Sequence, residues 1–284
     1  MNRVLLPYWY DGYLRNTPEF GISPVARGYL LGDGAFETLA VFNGIAIDIQ
    51  AHVDRLLAAS EMLGLGLSGS EVATAVSSIL LAHSGVNAVM RMTVTRGGEQ
   101  RGLAAQGRAI MLITMTSWVA GTLYKPVTLK TSSTRRNELS PSSRLKLTSY
   151  ADNIIAAREA EAAGSGDALM LNSRGRVACS TIANLFAVLG DDIATPPVEE
   201  GALPGTIRRH VMATEQPIQP DELKKADGIF LTNSLRLVRP VQSLDGLSTS
   251  AAAGDRIMEV FAAQCLRIKE QCGIDPRAVD STPS

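Results

Sequence analysis

Asn43 and Gly44 sit between two apolar stretches, ETLAVF and IAIDI, and this placement constrains the fold more than any other local feature. An Asn-Gly pair supplies the two positive-φ positions of a tight turn, so the flanking stretches read as an antiparallel hairpin. Asp11-Gly12 does the same between LLPYWY and YL. The next segment is helical. HVDRLLAASEMLG carries Val53, Leu56, Leu57, Ser60 and Leu63 on one face and stops at Gly64, and Ser68 with Glu71 forms a capping box that opens a second helix. AVMRMTVTRGG then alternates Met90, Met92 and Val94 with Arg91, Thr93 and Thr95, and AIMLITM gives another strand. Hairpins that precede a helix pair argue against a doubly wound parallel sheet, so the expected class is α+β.

SWVAGTLYKP lacks a period and contains Gly121 and Pro126, which marks a linker at 121–126 between a domain at 1–120 and a second at 127–284. The second half runs from strand VTLKT through a polar loop into LKLTSYADNIIAAREAEAAG, read as a segment that carries Lys146 into a helix. DALMLNSRGRVAC and NLFAVLGDDIATPP are hairpins, LPGTIRRHVM opens a helix, GIFLTNSLRLVRPV is a strand plus loop, and a terminal helix covers 252–272 before a frayed tail.

The 284 residues carry a formal charge of −1, which removes the electrostatic footprint of a nucleic-acid binder. No apolar run reaches bilayer length, and MNRVLLPYWYDG does not read as a signal peptide, so the expected compartment is the cytoplasm. Three cysteines (Cys179, Cys265, Cys272) and three scattered histidines (His52, His83, His210) offer neither a disulfide framework nor metal spacing, so no metal is expected. Lysine is scarce: there are six, and none in the first 124 residues.

Four places can carry chemistry. Lys146 stands between two leucines in SRLKLTS, where a strand-like conformation points it away from both, and a desolvated lysine is a good Schiff-base nucleophile. LPGTIRR leads into amides at Thr206 and Ile207 that suit a phosphate. LTNSLR offers Asn233 and Ser234 after a strand as further donors, and Arg55 in HVDRL can pair with a phosphate. Each has a plain structural reading when taken singly. Together they are the parts list for pyridoxal 5′-phosphate.

In this order the pieces RGYLLGDGAFETL, HVDRL, TRGGEQRGL, LKLTSYADNIIAAREA, RVACSTIANLF, LPGTIRR and LTNSLRLVRPV resemble the fold-type IV pyridoxal-phosphate enzymes, which include class IV aminotransferases and 4-amino-4-deoxychorismate lyase. The resemblance implies a small N-terminal α/β domain, a larger C-terminal pseudo-barrel domain and a homodimer that acts on a small amine or amino acid. It implies Lys146 as the cofactor lysine that then moves the substrate's α-proton, Arg55, Thr206, Ile207 and Ser234 as phosphate contacts, with Asn233 beside them, and Phe36 and Glu37 at the mouth of the site. Arg101 falls in a loop that some members use for a substrate carboxylate. LTNSLRLVRPV and TRGGEQRGL look like the lyases, which eliminate pyruvate to leave 4-aminobenzoate, although Ser149-Tyr150 departs from the lyase pattern. A branched-chain or D-amino-acid aminotransferase is the alternative, and a cofactor-binding homologue without turnover is the third reading.

That third reading rests on Cys179. Members of this family usually place a glutamate there, against the cofactor's pyridine nitrogen. A neutral thiol cannot stabilise a pyridinium as a carboxylate does, so either the ring works with an unprotonated nitrogen, in a slower or more restricted reaction, or a neighbour such as Glu37, or a water, supplies the missing charge.

Overall fold

A computed structural model describes residues 4–17, 19–98, 102–104 and 106–281. The chain divides into two compact units. The first runs to Ala120 and also takes Leu145–Ser149 and Ile268–Ser284; the second comprises Gly121–Arg144 and Tyr150–Arg267. The second unit is not one continuous stretch. The reason is local to the first unit, where Leu145–Ser149 pairs with a sheet edge.

That sheet contains β1 (Val4–Tyr10), β2 (Tyr13–Arg15), β3 (Gly34–Phe42), β4 (Ile45–Ala46), β5 (Ala88–Arg96) and β6 (Ala109–Ser117), with α1 (Arg27–Leu31) between β2 and β3. Its order is β2-β1-β6-β5-β3-β4, antiparallel throughout. Helices α2 (Ile49–Met62) and α3 (Gly69–Ala82) follow β4. Their Leu56, Val72 and Ile79 join Leu39, Met90, Met92 and Ile113 in one buried cluster. The expected capping box is present at Ser68 and Glu71, a device worth about 1 kcal/mol. His83 ends α3 and donates Nε2 to the Pro7 carbonyl at 2.7 Å. RGYLL is helical, and Arg27 at its start is buried against Asp33 at 2.8 Å.

The second unit is built on β7 (Val127–Thr131), α4 (Ala151–Ala162), β8 (Asp167–Leu171), β9 (Val177–Ser180), β10 (Asn184–Leu189), β11 (Asp192–Thr195), β12 (Thr214–Glu215), α5 (Pro220–Leu223), β13 (Gly228–Asn233), β14 (Leu237–Leu244) and β15 (Leu247–Ser248). Strand order is β12-β11-β10-β13-β14-β7-β8-β9, with β15 on β14. Only three residues separate β9 from β10, and Ser180 N–H bonds the Ala183 carbonyl at 2.9 Å, so the path curls back on itself. Leu129, Leu169, Val177, Leu185, Leu231 and Val241 fill one side of it. On another side, Ala156 and Ala160 of α4 pack on Ala168, Met170 and Ala178.

Three local readings change. Lys146 is not on the helix, which begins at Ala151. LPGTIRR yields only a single 3-10 turn at Arg208–His210. GIFLTNSLRLVRPV forms two paired strands rather than a strand and loop, because Asn233 caps the turn between them. The last helices are α6 (Gly254–Cys272) and α7 (Pro276–Asp280). The expected frayed tail is ordered at α7: Asp275 caps it through the Arg277 amide at 2.9 Å, and Trp118 Nε1 donates to Asp280 at 3.0 Å.

Candidate active site

Lys146 is placed by a sheet edge. Residues 145–149 run antiparallel to the start of β3: Phe36 N–H bonds the Lys146 carbonyl and Thr148 N–H bonds the Gly34 carbonyl, each at 2.9 Å. Ala35 and Leu147 are the bridged pair. Side chains alternate along paired strands, so Leu145 and Leu147 pack on the core while Lys146 turns to the other face with Phe36. Lys146 Nζ lies 4.5 Å from the Phe36 ring centroid, and the Arg91 guanidinium carbon lies 3.9 Å from it. Burial pulls the Lys146 amine down to about 8; Glu37 opposes this, and the charges of Arg55 and Arg91 add to it.

Phe36 and Glu37 are separated by the same alternation, which corrects the expectation that both line one mouth. Glu37 faces α2, is 0 % exposed, and has both oxygens engaged. Arg55 Nε donates to Oε1 at 2.6 Å and Nη2 to Oε2 at 2.7 Å, while His52 Nδ1 donates to Oε2 at 2.6 Å. Burial alone would push this carboxyl up, but the Arg55 and His52 bonds and charges more than offset it and leave it below the ordinary value. Glu37 thus holds Arg55, and its oxygens are not spare charges for another group. His52 and Arg91 are not among the residues that sequence patterns single out. The signals that could have found them are the HxxR spacing in HVDRL and the strand face that Arg91 shares with Thr93 and Thr95.

The second unit gathers three turns at one end of the β10–β13 pair, where Asn184 lies opposite Thr232. Asn184 Nδ2 donates to the Leu203 carbonyl at 2.7 Å, tying down the loop that holds Thr206 and Ile207, both buried. A Cβ at Gly205 would lie 2.0 Å from Asn184 Oδ1, so only glycine lets this backbone come so close. Asn233 Oδ1 accepts the amides of Leu235 and Arg236, and its Nδ2 reaches the Ile182 carbonyl at 3.4 Å. Ser234 lies in that turn. The buried Ser180 and Thr232 hydroxyls beside these turns have no hydrogen-bond partner among the described residues. Arg101 lies outside the described residues.

Cys179 sits on β9 opposite Met170, 7 % exposed, in a cluster completed by Ala156, Ala160, Ala168 and Ala178. Burial pushes its thiol up; Arg136 opposes this and Asp167 adds to it. The group is a neutral thiol at neutral pH.

Pyridoxal phosphate needs an amine that is neutral near neutral pH and a cradle for its phosphate. Within the first unit, the lowered Lys146 has the chemistry of the first need; within the second, taken by itself, the glycine-dependent loop at 203–207 and the Asn233 turn are of the kind that serves the second. Cys179 does not meet a third need, a charged partner for the ring nitrogen. No helix among the described residues is long and apolar enough to cross a membrane, and no group of His, Cys, Asp and Glu among them could hold a metal.

The class IV amino-transferase family pattern matches residues 34–244. A putative branched-chain-amino-acid aminotransferase of Methanocaldococcus jannaschii is 27 % identical over 254 residues, 84 % of this chain and 88 % of that one. The aminodeoxychorismate lyase of Bacillus subtilis is 26 % identical over 262 residues, 87 % of this chain and 89 % of the lyase. Among solved structures, the branched-chain aminotransferase of Thermoproteus uzoniensis, crystallised with norvaline, superposes with a TM-score of 0.84 at 26 % identity, covering 94 % of this chain and 96 % of that one. With a paired strand edge that presents one desolvated lysine, and with this family match over most of its length, the chain belongs to the class IV amino-transferase family of pyridoxal-phosphate-dependent enzymes.

Proposed function

We propose that this enzyme eliminates pyruvate from an amine substrate, with 4-amino-4-deoxychorismate as substrate and 4-aminobenzoate as the other product. The observation that carries this reading is Cys179, neutral and walled in by alanines. When bound, pyridoxal phosphate supplies an electron-withdrawing ring conjugated to the substrate amine. A neutral thiol does not keep a proton on the ring nitrogen, so that withdrawal is weakened. That loss would bear harder on amino-group transfer, which would depend on the electron withdrawal for longer than an elimination does. In elimination the pair is used to expel the leaving group. The lyase-like segments TRGGEQRGL and LTNSLRLVRPV point the same way.

In this reading Lys146 holds the cofactor and moves the α-proton, its amine set near neutrality by burial. Arg55, Thr206, Ile207, Asn233 and Ser234 bind the phosphate, with Glu37 and His52 orienting Arg55. Phe36 faces the substrate, and Arg101 reads a carboxylate. The enzyme works as a cytoplasmic homodimer, and the exposed Tyr29, Leu30 and Leu31 of α1 supply an apolar face for pairing.

The second reading, an aminotransferase, is supported by the likeness to branched-chain aminotransferases over most of the chain. One experiment separates them. Purified protein with pyridoxal phosphate is given 4-amino-4-deoxychorismate and assayed for 4-aminobenzoate and pyruvate, then given an amino-acid panel with 2-oxoglutarate or pyruvate. Product from only the first supports the lyase. Product from only the second overturns it, and product from neither, with cofactor bound, establishes a homologue without turnover.

A further inference from the structure

We propose that Arg91 is a positioning residue for Lys146: seated on the Phe36 ring that the lysine also approaches, its permanent charge joins burial in favouring the neutral, nucleophilic form of the amine. The proposal rests on the reading of Lys146 as the reacting lysine, and the geometry behind it is a matter of register. Leu147 opposite Ala35 sets Lys146 across from Phe36, on the side away from the core. On the other neighbouring strand Phe36 lies opposite Thr93 and Thr38 lies opposite Arg91, so Arg91 is the diagonal neighbour of Phe36 on the same face. A long side chain spans that diagonal, and the guanidinium carbon comes to 3.9 Å from the ring centroid, closer than the 4.5 Å of Lys146 Nζ.

Two cations at one aromatic ring compete. The ring face attracts positive charge, which by itself would favour a protonated lysine. Arginine keeps its proton throughout the physiological range, so when two positive charges approach the same ring it is the lysine that loses one. Among the described residues, the other charged groups that act on the Lys146 amine are Glu37 on β3, which raises it, and Arg55 on α2, which lowers it. Glu37 and Arg55 are bound to each other bidentately, and at Lys146 the raising effect of Glu37 is the larger of the two. Burial is the largest influence lowering the amine, and Arg91 adds to it in the same direction. With the amine at about 8, about a tenth of it is neutral at pH 7, a few-hundred-fold more than for a lysine at its ordinary value.

The test is competitive acylation of the full chain, freed of cofactor, from about pH 6 to 11, read lysine by lysine by peptide mass spectrometry. The other five lysines serve as internal references for fold and reagent. Wild-type Lys146 should titrate with a midpoint near 8. Because Arg91 is solvent-exposed and its field is screened, Arg91→Met should raise that midpoint by about half a unit to one unit, lowering the neutral amine at pH 7 about three- to tenfold. Arg91→Lys should leave it near the wild-type value. An unmoved midpoint in Arg91→Met, or one displaced equally in Arg91→Lys, overturns the proposal. A separate arm adds pyridoxal phosphate and borohydride and identifies the labelled lysine. A label elsewhere than Lys146 refutes the cofactor reading and leaves the titration result standing.

Discussion

Lys146 and Phe36 face each other across an antiparallel pair, the amine nitrogen 4.5 Å from the ring centroid, because Leu147 is bridged to Ala35. A one-residue slip would reverse the faces, burying the lysine in the core and exposing the leucines. Lys146 is therefore held by strand register, which makes its proposed chemistry testable. Pyridoxal phosphate and then borohydride should fix a label on Lys146, and Lys146→Ala should remove both the label and any visible absorption from bound cofactor. A group whose folded pKa is lowered to about 8 gains its neutral form as pH rises, so capture of pyridoxal phosphate should accelerate about tenfold per unit below pH 8 and level off above it. Stopped-flow absorbance checks the profile.

Glu37 is the buried counter-charge of Arg55, and removing one member of such a pair leaves the other uncompensated. Glu37→Ala should destabilise the protein by about 3–5 kcal/mol, measured by urea unfolding. The pH dependence has a definite sign. The folded carboxyl lies below its ordinary 4.5, so its contribution is full above that value and is lost as pH falls through the lower folded value. Wild-type stability should drop in that acid window, and the drop should be smaller in Glu37→Ala.

Cys179→Glu puts a carboxylate into an alanine-lined site. Without cofactor the variant should unfold at lower temperature, by about 1–3 kcal/mol of stability, because the buried carboxyl has lost its water. Saturating pyridoxal phosphate should recover part of that loss through binding to the folded state, and the absorption of the bound cofactor should shift. Amino-transfer to a 2-oxo acid should rise relative to wild type. Thermal melts with and without cofactor, together with difference spectra, provide the measurement. No change in spectrum or rate would mean that residue 179 does not touch the ring.

Gly205→Ala drives a methyl group into the Asn184 side chain, which lies 2.0 Å from where that Cβ must go. Either the 203–207 loop moves or Asn184 releases the Leu203 carbonyl. Affinity for pyridoxal phosphate should fall about tenfold or more by equilibrium titration, whereas Gly254→Ala, where a Cβ meets nothing within 4 Å, should leave it unchanged.

Local physics made much of this protein legible from its residues. The Asn43-Gly44 turn, the Ser68–Glu71 box and the alternation of β5 each depend on neighbours a few positions away, so pattern alone was sufficient. The scarcity of lysine and the small-residue turns at Gly205 and Asn233 are local signals of the same kind, and the proposed chemistry starts from them. What only the tertiary structure decided involves residues far apart in the chain. The edge of β3 captured 145–149, which moved Lys146 off its expected helix and into the first unit. Glu37 turned to Arg55 and His52 while Phe36 turned to Lys146 and Arg91. Asp280 found Trp118, and the tail expected to fray became a helix. Sequence periodicity shows which face a side chain takes on its own strand. Which partner waits on that face is set by long-range register, and no local pattern encodes it.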